Sequence, residues 1–192
     1  ILLSACVPLL TASLAFDVSR QTRLAMVSGL LAIFSAYYAP FMPVPDNYAI
    51  YMILGATFLL LAPRAEKWIP LALGALAGLL TLSRSDGLLW LGLAGLTVLW
   101  KTFNTQYAII SAQRVIRNLF AQRLQAILIA GFLALLGYLL TMGIWHYRNF
   151  TLFGSFLAPG GGRLLWLENY NQTFIYPAEA LTRVGFLQAG WD

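Results

Sequence analysis

Of the 192 residues, 60% are hydrophobic and only 10% are charged, and the mean hydropathy is +0.75. A soluble domain carries about 25% charged residues because it has a water-facing surface to cover. This composition therefore excludes an ordinary soluble globule and leaves lipid, or the inside of a larger apolar complex, as the surroundings.

The chain enters an apolar run at Ile1, with no basic segment and no small-residue cleavage site ahead of it. Such a run is not expected to be a secretory signal. It is expected to be a piece of a longer protein, cut within or just before a helix, with further sequence after Asp192. The single Cys6 offers neither a disulfide nor a metal site and is expected to be a core thiol.

Six apolar stretches follow in order: Ile1–Phe16, Leu24–Ala39, Tyr48–Ala62, Trp68–Leu82, Gly87–Trp100 and Leu124–Trp145. Only the last reaches the roughly 20 residues that a full membrane span requires. The others are nearer 15 and depend on flanking Arg, Lys, Trp and Tyr to extend them into the interface. The pair Trp68–Leu82 and Gly87–Trp100 is expected to form two spans, with a re-entrant hairpin turning at 83–87 as the alternative. Within the first of the pair, Gly74 and Gly78 make a small-xxx-small face against which another helix can pack closely.

If the six stretches alternate across a bilayer, the connectors at 17–23, 63–67 and 101–123 share one side. They carry eight basic residues (Arg20, Arg23, Arg64, Lys67, Lys101, Arg114, Arg117 and Arg123) against Asp17 and Glu66. The opposite side carries Arg84, Arg148, Arg163 and Arg183 against five acidic residues. Basic residues resist translocation, which assigns the first set to the cytoplasm. The net charge of +5 is thus a topology signal, and no nucleic-acid partner is needed to explain it.

In the long connector at about 105–123, Ile109, Ala112, Ile116, Leu119 and Phe120 share a helical face opposite Arg114, Arg117, Asn118 and Gln122. Either a basic amphipathic helix on anionic lipid or an ordinary solvated helix fits that pattern. After Trp145 prolines, glycines and polar residues appear between aromatics. The expected fold is all-α: a polytopic transmembrane bundle of about six spans over 1–147, then the start of an extracytoplasmic segment over 148–192.

Charged groups near membrane depth are costly, so they tend to be paired, to face a cavity or to be functional. Three sets fall at the outer ends of the stretches: Asp46; Arg84 with Asp86; and His146, Arg148 and Asn149. Each also has a structural reading. Asp46 could cap the following helix, Arg84 and Asp86 could form a turn pair, Arg148 could reach to lipid phosphate, and His146 could simply lie at the interface. There is no His/Cys metal spacing, no Walker-type loop and no serine nucleophile elbow.

In this order, Ser83-Arg84-Ser85-Asp86, then Trp145-His146-Tyr147-Arg148-Asn149-Phe150 running on to Phe153-Gly154, then Gly160-Gly161-Gly162, then Leu165-Trp166-Leu167-Glu168-Asn169 resemble the blocks of the GT-C superfamily of polyprenyl-phosphate-sugar glycosyltransferases. That superfamily includes the aminoarabinose lipid A transferases and the protein mannosyltransferases. The departures are Ile144 and Ser85 at positions where proline is usual, Asp86 for glutamate, and Asp46-Asn47 for a common E-P.

The resemblance implies transfer of a sugar from a polyprenyl-phosphate donor at the extracytoplasmic face of a bacterial inner membrane. It implies donor-phosphate binding by Arg84 and Arg148, with Asn149 and His146 in support. Asp46 and Asp86 would assist as carboxylates or hold a divalent cation, and the main catalytic aspartate would lie upstream of Ile1. No other cofactor is implied. A non-enzymatic transporter of lipid-linked glycans, or a membrane assembly scaffold, is the alternative.

Overall fold

The computed structural model describes residues 2–34, 47–84, 87–104, 116–156, 166–167, 172 and 181–189, and every regular element among them is helical. The helices are α1 (Leu2–Ser19), α2 (Thr22–Ile33), α3 (Tyr48–Leu61), α4 (Ile69–Ser83), α5 (Leu88–Asn104), α6 (Ile116–Phe153) and α7 (Arg183–Ala189). The chain divides into two compact units, Ile1–Met142 and Gly143–Asp192. The divide falls inside α6.

Local chemistry explains where the helices stop. Arg20 adopts a left-handed φ of 55° while its N–H still bonds to the Phe16 carbonyl at 2.8 Å. This closes α1 and turns the chain directly into α2. Pro63 follows α3, where it cannot continue the helix, and Pro70 sits in the first turn of α4, where its missing N–H costs nothing.

The hydroxyls that interrupt the apolar helices bond within their own helices. Thr11, Ser13, Thr57, Thr81, Thr97 and Thr102 each donate to the carbonyl four residues back. Among the described residues no buried side-chain polar atom lacks a partner.

In the first unit α1 packs on α2 and α3, α3 on α4, and α4 on α5. One core cluster joins Phe58, Ile69, Leu73 and Ala94, with Trp90 against it. A second joins Ala77 of α4 to Tyr138 and Met142 of α6. The small face of α4 has its expected partner here. A Cβ on Gly74 would overlap the Ala134 carbonyl, one on Gly78 would overlap the Thr141 hydroxyl, and one on Gly137 would overlap the Leu71 carbonyl. Backbone therefore lies against backbone, as small residues permit.

The outside of the helices is strongly apolar. Leu9, Leu31, Leu89, Leu96, Leu128, Phe132 and Leu140 are exposed, and Ile144 reaches 83% exposure, while Asn149 and Gln172 are buried. Among the described residues, only α6 contains a segment long and apolar enough to cross a membrane by length and composition, Arg123–Phe153. The other apolar helices are shorter.

One expectation is corrected. Cys6 is exposed, because Ser4 and Val7 lie on the inward face of α1 and position 6 is rotated off it by the 100° that each residue turns. Residues 116–123 are the opening turns of α6, and residues 105–115 lie outside the described residues.

Candidate functional site

The basic connectors meet at one end of the first unit. The Lys101 ammonium donates to the Arg64 carbonyl, which ties the end of α5 to the turn between α3 and α4. The Arg123 guanidinium lies 5.9 Å from the Phe103 ring centroid. Asp17, Thr22 and Arg64 line one open groove, and Arg20 reaches to 3.9 Å from Asp17. The three connectors that alternation assigns to one side are therefore neighbours in space.

A different set meets where α3 begins, α4 ends and α5 begins. Asn47 occupies the cap position of α3 but makes no side-chain bond to that helix. Its amide donates instead to the Ser83 carbonyl at the end of α4. Asp46, the expected cap, lies outside the described residues.

Arg84 leaves α4 in extended conformation, with φ −150° and ψ 147°, while its N–H stays bonded to the Leu80 carbonyl at 2.9 Å. The Gly87 N–H then donates to the Arg84 carbonyl at 3.0 Å, folding the chain into α5. A Cβ on Gly87 would overlap the Leu80 backbone, so this tight return needs glycine. Asp86 lies outside the described residues.

The Arg84 guanidinium sits 5.2 Å from the Tyr48 ring centroid and 5.5 Å from that of Tyr51. Both distances are within the range of attraction between a cation and an aromatic face. The two tyrosines are three residues apart in the first turn of α3 and so share a face. The Trp90 indole N–H of α5 donates to the Tyr51 hydroxyl at 2.8 Å. The Trp90 ring stands edge-on to Tyr51 at 6.3 Å and to Phe58 at 5.1 Å, and lies against the Cα of Gly55.

In the second unit, His146, Arg148 and Asn149 occupy the last turns of α6. Arg148 lies 5.1 Å from the Trp145 ring centroid and donates to the Asn149 side-chain oxygen at 3.4 Å. Asn149 is only 1% exposed. Its amide donates to the Phe156 carbonyl at 3.4 Å, and His146 Nδ1 stands 2.9 Å from the same oxygen. That shared contact folds residues 154–156 back on the helix through Gly154, whose φ is +65°. Asn149 thereby fixes the turn beside Arg148.

The structure thus gathers Arg84 with Tyr48, Tyr51 and Trp90, and separately gathers His146, Arg148 and Asn149 around Phe156. The aromatic partners of Arg84 were not singled out in the sequence. Their only sign there was a pair of tyrosines at helical spacing at the start of an apolar stretch. The glycine triplet, Glu168 and Asn169 lie outside the described residues. Among the described residues no group of three His, Cys, Asp or Glu side chains is placed to hold a metal ion. No family model, curated protein or solved structure matches this chain.

Proposed function

We propose that this chain belongs to a polytopic membrane glycosyltransferase that moves a sugar from a polyprenyl phosphate to a hydroxyl acceptor at the extracytoplasmic face. Several features support the membrane setting. Large apolar side chains cover the outside of the helices, glycine and alanine fill the contact of α4 with α6, and Thr11, Ser13, Thr57, Thr81, Thr97 and Thr102 bond to carbonyls of their own helices. A protein folded in water would instead expose few contiguous apolar patches above a few hundred Å². With the end holding Lys101, Arg64 and Arg123 in the cytoplasm, the end holding Asn47, Arg84 and Gly87 faces outward.

The observation that carries the catalytic reading is the position of Arg84, where three helix ends meet at that outward end. In the transfer, the acceptor oxygen attacks the anomeric carbon while the bond from that carbon to the phosphate oxygen breaks. The anomeric centre inverts, and the acceptor proton passes to a carboxylate base. The departing polyprenyl phosphate is already a stable anion, so it needs positive charge more than a proton. A guanidinium pairs with two phosphate oxygens at once. Arg84 serves that role; Arg148, on its turn braced by Asn149, carries the same chemistry within the second unit. The polyprenyl chain lies along the apolar helix surfaces.

The test is transfer of radiolabelled sugar from donor lipid by the full protein carrying Arg84→Ala or Arg148→Ala. Transfer is expected to be lost while membrane insertion is retained. Wild-type rates in both variants would overturn the assignment.

A further inference from the structure

We propose that Tyr48 and Tyr51 are positioning residues that orient the Arg84 guanidinium for a phosphate anion, and that the Trp90–Tyr51 hydrogen bond holds this cradle in register. The inference rests on the assignment of Arg84 to the donor phosphate. Arginine carries its charge on a long flexible stem, and fixing it before the anion arrives spares the binding step that ordering loss. Rings attract the guanidinium through its face, whereas phosphate pairs with its N–H edge, so the two contacts are compatible.

The cradle is built from three helices. Tyr48 and Tyr51 come from the first turn of α3, Arg84 from the end of α4, and Trp90 from the first turn of α5. Their order is a relay of contacts. Phe58 and Gly55 seat the Trp90 ring, Trp90 Nε1 holds the Tyr51 hydroxyl at 2.8 Å, and Tyr51 with Tyr48 holds Arg84. Phe58 is fully buried, so the far end of the relay is anchored in the core. The Asn47 side-chain amide, donating to the Ser83 carbonyl, joins the same two helix ends and keeps the tyrosines beside Arg84. A lysine at 84 would keep the charge but lose the planar fork that meets rings on one side and phosphate on the other.

The experiment uses the full protein in lipid nanodiscs, with farnesyl phosphate as the binding probe and donor kinetics as the second readout. Tyr51→Leu and Tyr48→Leu are each expected to raise the donor KM and the farnesyl phosphate Kd about tenfold, with kcat nearly unchanged. Tyr51→Phe keeps the ring but loses the Trp90 hydrogen bond, and is expected to restore only part of that loss. Tyr51→Phe and Trp90→Phe remove the same hydrogen bond, so the double variant should be no weaker in donor KM than either single one.

If Arg84→Gln loses probe binding while both leucine variants bind it as wild type does, the cradle is refuted and the role of Arg84 stands. If Arg84→Gln itself binds and turns over donor normally, the functional assignment falls first. A drop in kcat at unchanged KM in Tyr51→Leu, or additive losses in the double variant, would indicate general destabilisation and would also overturn the positioning role.

Discussion

Gly74 of α4 and Ala134 of α6 meet backbone to backbone: no side chain fits between the glycine Cα and the alanine carbonyl. The same seam continues at Gly78, against the Thr141 hydroxyl and the Tyr138 carbonyl, and at Gly137, against Leu71 and Ala75. Thr141 Oγ1 donates to the Tyr138 carbonyl at 2.9 Å and reaches the Ala75 carbonyl at 3.4 Å. At Gly74 and Gly137 the seam tolerates no added volume, because the atoms met there are main chain and cannot rotate away.

Gly74→Val is therefore expected to separate α4 from α6 and to lower stability by about 1–3 kcal/mol or more. Gly92→Ala and Gly95→Ala are the matched controls, since a Cβ at either position meets nothing within 4 Å. Thermal unfolding in detergent would check this. A Gly74→Val protein as stable as the two controls would contradict the seam.

Phe58 is completely buried among Ile69, Leu73 and Ala94, and it also backs Trp90. Phe58→Ala leaves a void that helix backbones cannot fill by moving, with an expected loss of about 3–5 kcal/mol. Phe58→Leu should retain much of the packing. Chemical unfolding followed by tryptophan emission would rank the two, and an equal loss would show that the site collapses freely.

Asn149→Ala removes a donor from the Phe156 carbonyl and an acceptor from Arg148. The expected loss is about 1–3 kcal/mol for the groups left unsatisfied, confined to the return at 154–156. Hydrogen exchange should quicken at Gly154 and Ser155 while the middle of α6 stays protected. Uniform quickening along α6 would mean that Asn149 supports the whole helix.

Because Cys6 is the only cysteine, a Cys6→Ser background allows single cysteines to be placed at will. Cysteines at 20, 64 and 101 are expected to react with impermeant reagents from one face of the membrane, and those at 47 and 84 from the other. Labelling of 64 and 84 from the same face would remove the membrane sidedness on which the functional assignment depends.

Much of this architecture was legible in composition and spacing. Apolar runs of 14 to 22 residues separated by charge leave few options besides helices, since a backbone surrounded by nonpolar groups must satisfy its own hydrogen bonds. The gathering of Arg64, Lys101 and Arg123 at one end followed from counting connectors alternately. The glycines at 74 and 78 announced a close helix contact. None of these inferences needs knowledge of which helix neighbours which.

What folding alone revealed is the identity of partners. Nothing in the spacing of α4 pointed to Ala134 and Gly137, more than fifty residues later, as the surface that meets it. The pairing of Arg84 with Tyr48 and Tyr51, and the inward choice of Ser4 and Val7 over Cys6, were equally hidden. Hydropathy is a property of each segment by itself, whereas burial depends on which face a distant segment covers. In a chain apolar on nearly every face, pattern alone cannot mark that side, and only the approach of the neighbouring helix decides it.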